Sequence, residues 1–157
     1  MTKKILYVLI ILMSTLVFGC ATMNTVKPMS ADIDTKVKNL QTPTGKSLVY
    51  VVRPTLLGKP FGGEITANGE YIGTTQGGLY TYAVLSPGNY TFKVTGHDNS
   101  SEVNVIFDAD QTYYIYQGVY PGMFKGVTSL KLISNEKGRK ALEDCTLGDK
   151  LGSNTVH

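Results

Sequence analysis

Between residues 47 and 134 of this 157-residue chain lie several runs in which apolar side chains recur at every second position. That spacing puts them on one face of a β-strand and leaves little room for helix. The cleanest run is 90–95, where Tyr90, Phe92 and Val94 alternate with Thr91, Lys93 and Thr95. Residues 102–107 alternate again, with Val103, Val105 and Phe107 inward, and 112–119 form a tyrosine-rich strand. Residues 47–53, SLVYVVR, are apolar on both faces, so they read as a central strand that Pro54 ends. Asn68-Gly69 stands between the short runs 64–67 and 70–73. Both residues tolerate a positive φ, which makes the pair a strong hairpin signal. Further strands are expected over 79–85 and 127–134.

Seven or eight short strands with frequent turns predict an all-β fold, a small antiparallel β-sandwich, with a closed barrel as the alternative. A parallel sheet is not expected, because no long helical pattern separates the strands. One or two short helices flank the domain. Ile33, Val37 and Leu40 share one helical face over 31–40, with Ser30 as N-cap. So short a helix is marginal alone and has to dock on the domain. Residues 135–142 form the second helix, with Asn135 as N-cap. The chain after Cys145 is small and polar, and a flexible tail is expected over 144–157.

The N-terminus has a different pattern. Lys3-Lys4 precedes an apolar run over 5–18, interrupted only by Ser14 and Thr15. That is shorter than the roughly 20 residues of a membrane-spanning helix and has the length of a signal-peptide core. Leu16-Val17-Phe18-Gly19-Cys20 follows and resembles the lipobox of bacterial lipoproteins. Val17 and Phe18 depart from its commonest form. The resemblance implies removal of 1–19, lipid on the Cys20 sulfur, and a fatty acid such as palmitate on the new amine. Ordinary secretory cleavage and an uncleaved anchor remain alternatives. Ala21 after the cysteine implies, by the same resemblance, sorting to the outer membrane facing the periplasm. The expected layout is a signal peptide over 1–19, a lipidated tether over 20–45, a sandwich over 46–143 and the tail.

Composition narrows function mainly by exclusion. Without Lys3 and Lys4 the 15 basic side chains become 13, against 12 acidic ones. A near-neutral chain has no electrostatic footprint for nucleic acid. The histidines are His97 and His157. His97-Asp98-Asn99-Ser100-Ser101 holds the residue types of a hydrolytic triad, but as neighbours in one loop, where that geometry is rarely built. Asp108 and Asp110 fall far short of the oxygens that calcium takes. No catalytic residues, metal ligands or cofactor are expected.

Arg53, one of only two arginines, could clamp a carboxylate or phosphate, or form a strand-end ion pair. Tyr114 and Tyr116 share one strand face, opposite Tyr113 and Ile115. A small sandwich does not readily bury nine tyrosines with every hydroxyl paired, so this face is the expected contact surface for an envelope protein or glycan, with plain core packing as the alternative. Cys145, unpaired once Cys20 carries lipid, is expected to pack as a small apolar residue.

Most of the mature chain resembles a bacterial lipoprotein domain family of unknown function. The marks are Val49-Tyr50-Val51-Val52-Arg53-Pro54, Asn68-Gly69-Glu70-Tyr71-Ile72-Gly73, Pro87-Gly88-Asn89-Tyr90-Thr91-Phe92 and Gln111-Thr112-Tyr113-Tyr114-Ile115. Ala109-Asp110 stands where that family often has Ala-Gly. The middle part also looks like PEGA-type surface modules with a transthyretin-like sandwich, which have no catalytic residues of their own. The resemblance implies a fold and a location and supplies no activity. The expectation is a lipid-anchored, non-enzymatic binding or scaffolding module. The alternatives are an envelope hydrolase or other enzyme, and a surface-displayed interaction factor.

Overall fold

The computed structural model describes residues 26–96, 98–122 and 126–149. Cys20, His97 and the signal-peptide reading lie outside the described residues. Strands make up 52% of the described residues and helices 14%, which places the fold in the all-β class.

In chain order the elements are α1 (Ala31–Lys38), β1 (Ser47–Arg53), β2 (Gly63–Ala67), β3 (Glu70–Thr75), β4 (Leu79–Leu85), β5 (Gly88–Thr95), β6 (Ser100–Phe107), β7 (Gln111–Tyr120), β8 (Val127–Ile133), α2 (Asn135–Glu143) and β9 (Thr146–Leu147). They form a five-stranded sheet, β8-β7-β1-β4-β9, and a four-stranded sheet, β3-β2-β5-β6. The two sheets make the expected sandwich.

Asn68 and Gly69 take φ of 50° and 85° at the β2–β3 hairpin. Asp110 also adopts a positive φ, 61°, in the β6–β7 turn. Its carboxylate accepts the Gly45 N–H at 2.7 Å, and its own N–H reaches Lys46 O at 2.7 Å. An aspartate tolerates this conformation when its short side chain finds such a local bond. Here the bond ties the turn to the start of β1.

Three expectations need correction. First, β1 pairs with β4 in antiparallel fashion but with β7 in parallel, Tyr50 opposite Tyr114 and Val52 opposite Tyr116. The connection that makes this possible is not a helix. The chain between β1 and β7 passes repeatedly through the opposite sheet, which serves as the crossover. Second, the tail does not begin at residue 144. Thr146 and Leu147 add a parallel strand to β4, and Gly148 bridges to Pro28. Third, Ser134 rather than Asn135 occupies the N-cap of α2, with extended backbone and no side-chain capping bond.

The five-stranded sheet is covered on both faces, so β1 is buried at all seven positions. Its odd residues Val49 and Val51 meet Ile65, Phe92, Val94, Phe107 and Ile115 between the sheets. Its even residues Leu48, Tyr50 and Val52 meet Val37, Tyr80, Tyr114 and Leu142 beneath the helices. Continuous apolarity along 47–53 is the signature of that double burial.

The cleft between the helices and the clamp on the sheet end

The helices do not close over the second core. Between α1, α2 and the 39–42 segment lies a cleft with about 690 Å³ of accessible space. Its floor comes from Tyr50, Tyr114 and Leu142, and its walls from Lys38, Leu40 and Arg139 among others.

The floor is held rigidly. The rings of Tyr50 and Tyr114 stack at 5.5 Å and 15°. The Tyr50 hydroxyl donates to Val37 O at 2.7 Å, and that of Tyr80 to Asp34 O at 3.4 Å. Buried tyrosines need such partners, and here the helix backbone supplies them. Burial raises the pKa of Tyr50, Tyr80 and Tyr114 above the ordinary value. Neighbouring rings add to the effect at Tyr50, the Asp34 carboxylate adds to it at Tyr80, and Arg139 opposes it at Tyr114.

On the α1 wall, Lys38 Nζ pairs with Asp34 at 2.8 Å and donates to Cys145 O at 2.6 Å. Burial raises the Asp34 carboxyl, but hydrogen bonds from Lys38, the Leu147 N–H and Tyr80 outweigh it and leave the pKa lowered. Cys145 is 2% exposed. Burial pushes its thiol up to about 12, against weaker opposition from a backbone hydrogen bond. A thiol so placed stays protonated and packs as an apolar side chain.

Tyr114 does not face solvent, contrary to expectation. It is 7% exposed, because α2 lies directly on it at Gly138. A Cβ at position 138 would fall 2.1 Å from Tyr114 Cγ. Tyr116, on the same strand face, is half-buried, with Lys131 Nζ 5.3 Å from its ring centre. Among the described tyrosines the most exposed is Tyr120, 52% exposed at the end of β7. The strand period identifies which tyrosines share a face, but not that a helix covers it.

Arg53 points the other way, into the end of the inter-sheet space, and is 2% exposed. Nη1 donates to Phe61 O at 2.8 Å, and Nη2 to Leu57 O and Gly58 O at 3.1 and 2.9 Å. Nε has no partner among the described residues. Its hydrogen bonds therefore go to backbone carbonyls of the 54–62 loop. Nearby, Gln117 Nε2 donates to Thr128 Oγ1 at 3.0 Å, and Thr75 Oγ1 donates to Gln117 Oε1. Arg53 and Tyr114 are thus on opposite faces of the sheet and do not form one site.

Where the chain enters β6, Asp98 accepts the Gly126 N–H at 2.7 Å. Asn99 bonds both backbone groups of Thr128, and Ser101 Oγ accepts the Leu130 N–H. These side chains stitch β6 to β8 across the sandwich. No group of three or more His, Cys, Asp or Glu that could hold a metal ion occurs among the described residues. No helix among them is long and apolar enough to cross a membrane.

The cleft gathers two residues that the sequence did not assign to a site: Leu40, 40% exposed on its rim, and Arg139, the second arginine. Ile33 and Val37 lie on α1, where Val37 is buried, while Leu40 falls past the helix end at Lys38. The apolar spacing of the three was the available signal.

Comparison with known proteins adds a family and no activity. The family described as "Protein of unknown function (DUF2846)" matches residues 43–127, more than half of the chain. An uncharacterized protein of Haemophilus influenzae is 26% identical over 135 residues, covering 85% of this chain and 78% of that protein. No solved structure matches.

Proposed function

Since the chain belongs to the DUF2846 family of unknown function, which brings no activity with it, we propose on its own residues that it is a lipid-anchored envelope protein working by contact. The anchor is lipid on Cys20 and the envelope site is the outer membrane. The contact surface is the α1–α2 cleft.

The observation that carries the contact reading is the cleft itself. A stacked tyrosine floor, an exposed leucine and unlike charges on the walls suit an extended peptide segment of another envelope protein. The buried, stacked tyrosines hold the floor rigid, so contact falls to the exposed Leu40 and to the wall charges, which select register. The anchor rests on the order of charge, apolar run and Gly19-Cys20. Two or three acyl chains hold a protein firmly, where one does not.

The test uses a photo-crosslinking side chain at Leu40 in growing cells. One envelope protein should be captured, and capture should be lost in the Leu40→Glu, Arg139→Glu variant while its urea midpoint is unchanged. Unchanged capture in that variant removes the cleft from the reading. Fatty-acid labelling tests the anchor separately: Cys20→Ser should abolish it, and normal labelling of that variant removes the anchor.

A further inference from the structure

The two ends of the sandwich differ in character. At one end the turns at Lys46 and 108–110 expose Lys46, Asp108 and Asp110. At the other the 54–62 loop exposes two adjacent leucines, Leu56 at 62% and Leu57 at 49%. Further apolar side chains lie at the same end. Gly58 lies against Val119, and beyond it are Tyr120 and Val127, 52% and 38% exposed. Leucines at a loop tip are unusual where nothing among the described residues covers them, and exposed apolar side chains gathered at one end mark a contact.

The loop backbone is unusual too. A surface loop ordinarily leaves its carbonyls to water. Here Leu57 O, Gly58 O and Phe61 O accept from the buried Arg53 guanidinium. Leu56 O and Gly58 O also accept the N–H groups of Lys59 and Phe61, at 3.0 and 2.9 Å. The tip thus presents leucine side chains outward with these four carbonyls satisfied inward. Paired backbone is what a segment needs in order to leave water for hydrocarbon, where every unpaired group costs several kcal/mol.

We propose that this end of the sandwich rests on the lipid bilayer, with Leu56 and Leu57 among the acyl chains and Lys59 reaching back to the headgroups. The proposal rests on the lipid-anchor reading, which supplies proximity. From Cys20 to Val26, the first described residue, the chain spans at most about 20 Å. Val26 packs on Gly148, Gly148 neighbours Leu79, and a Cβ on the adjoining Gly78 would lie 3.3 Å from Leu56 Cδ2. The tether therefore enters the fold close to the apolar end and cannot hold it far from the membrane. Two leucines alone bind a bilayer weakly, but a short tether makes the encounter intramolecular.

The chain contains no tryptophan, so Leu57→Trp introduces a single reporter. The chain from Cys20 onward is coupled through that thiol to maleimide lipid in phosphatidylcholine vesicles carrying brominated acyl chains; buried Cys145 is spared. Ile106→Trp, 71% exposed on β6 near the opposite end, is the control. Leu57→Trp emission should shift to the blue and be strongly quenched by bromine, with neither change in Ile106→Trp. Absent quenching at position 57, or equal quenching at both positions, overturns the proposal. A blue shift that grows with surface density but is not quenched by bromine assigns the patch to a second copy of the chain and also overturns it. Chemical coupling supplies the anchor, so this result is independent of whether cells lipidate Cys20, which fatty-acid labelling decides.

Discussion

The five-stranded sheet has two hydrophobic faces, and they are built differently. Against the other sheet it presents Val49, Val51 and Ile115, meeting Phe92, Val94 and Phe107. Those core side chains carry no polar atom, and alternation along two facing sheets is enough to assemble them. Against the helices it presents Tyr50, Tyr80 and Tyr114 around Leu48, Val52 and Leu142. Here each hydroxyl needs a partner, and the Tyr50 and Tyr80 hydroxyls end on α1 carbonyls. The middle of the first face is specified by shape and volume, with the hydrogen-bonded Arg53 and Gln117 confined to one end of it. The second also depends on hydrogen bonds to two short helices that have no stability of their own. Global stability should therefore follow the inter-sheet face, while order around the cleft should follow the tyrosine face.

The strongest test of that division is Phe92→Ala. Phe92 is fully buried, edge-on to Phe107 at 5.8 Å. Truncating it leaves a cavity that two rigid sheets cannot collapse into, and the cost should be about 3–5 kcal/mol. Urea denaturation followed by circular dichroism measures this. A loss below about 1 kcal/mol would mean that the inter-sheet face is not the stabilising one.

That face was legible in the sequence because its rule is local. Alternation over 90–95 and 102–107 and the Asn68-Gly69 turn depend only on neighbours along the chain. The tyrosine face was not legible to the same degree. Continuous apolarity of 47–53 shows that both faces of β1 are covered, and the Ile33-Val37-Leu40 pattern shows that a helix docks. Neither reveals that α2 lies on Tyr114. The parallel pairing of β1 with β7 and the short β9 were hidden for a related reason. They are settled by where the whole chain returns, not by any residue in the strand. For the candidate site, the tyrosines were the right material placed on the wrong side of a helix.

Gly138→Ala sharpens the comparison with a change of sign. In an exposed helix, alanine for glycine stabilises by roughly 0.5–1 kcal/mol. Here the new methyl would overlap Tyr114 Cγ and Cβ, at 2.1 and 2.3 Å. The flanking Ala141 and Leu142 are buried, so α2 cannot simply tilt away. Overpacking of this kind costs about 1–3 kcal/mol. A rise in the urea midpoint would show that α2 is not seated on the sheet.

The smallest expected effect is the most diagnostic. Tyr50→Phe removes one hydroxyl and leaves the ring to stack on Tyr114 as before. Val37 O then loses the bond it accepts at 2.7 Å. A neutral bond of this kind is worth about 0.5–1.5 kcal/mol net, so the urea midpoint should move little. The loss should fall unevenly, because the hydroxyl joins two elements of unequal stability. β1 is paired on both sides and buried throughout. α1 has only Val37 buried, and is otherwise held by Asp34 through the Leu147 N–H and Tyr80, and by Lys38 through Cys145 O. Removing one of so few attachments should raise local opening of α1 without opening the sheet. Hydrogen exchange separates the two cases: amides of 31–38 should lose protection while those of 47–53 keep theirs. Equal loss in both segments would make the tyrosine face part of the same cooperative unit as the inter-sheet core, and the distinction between the two faces would not stand.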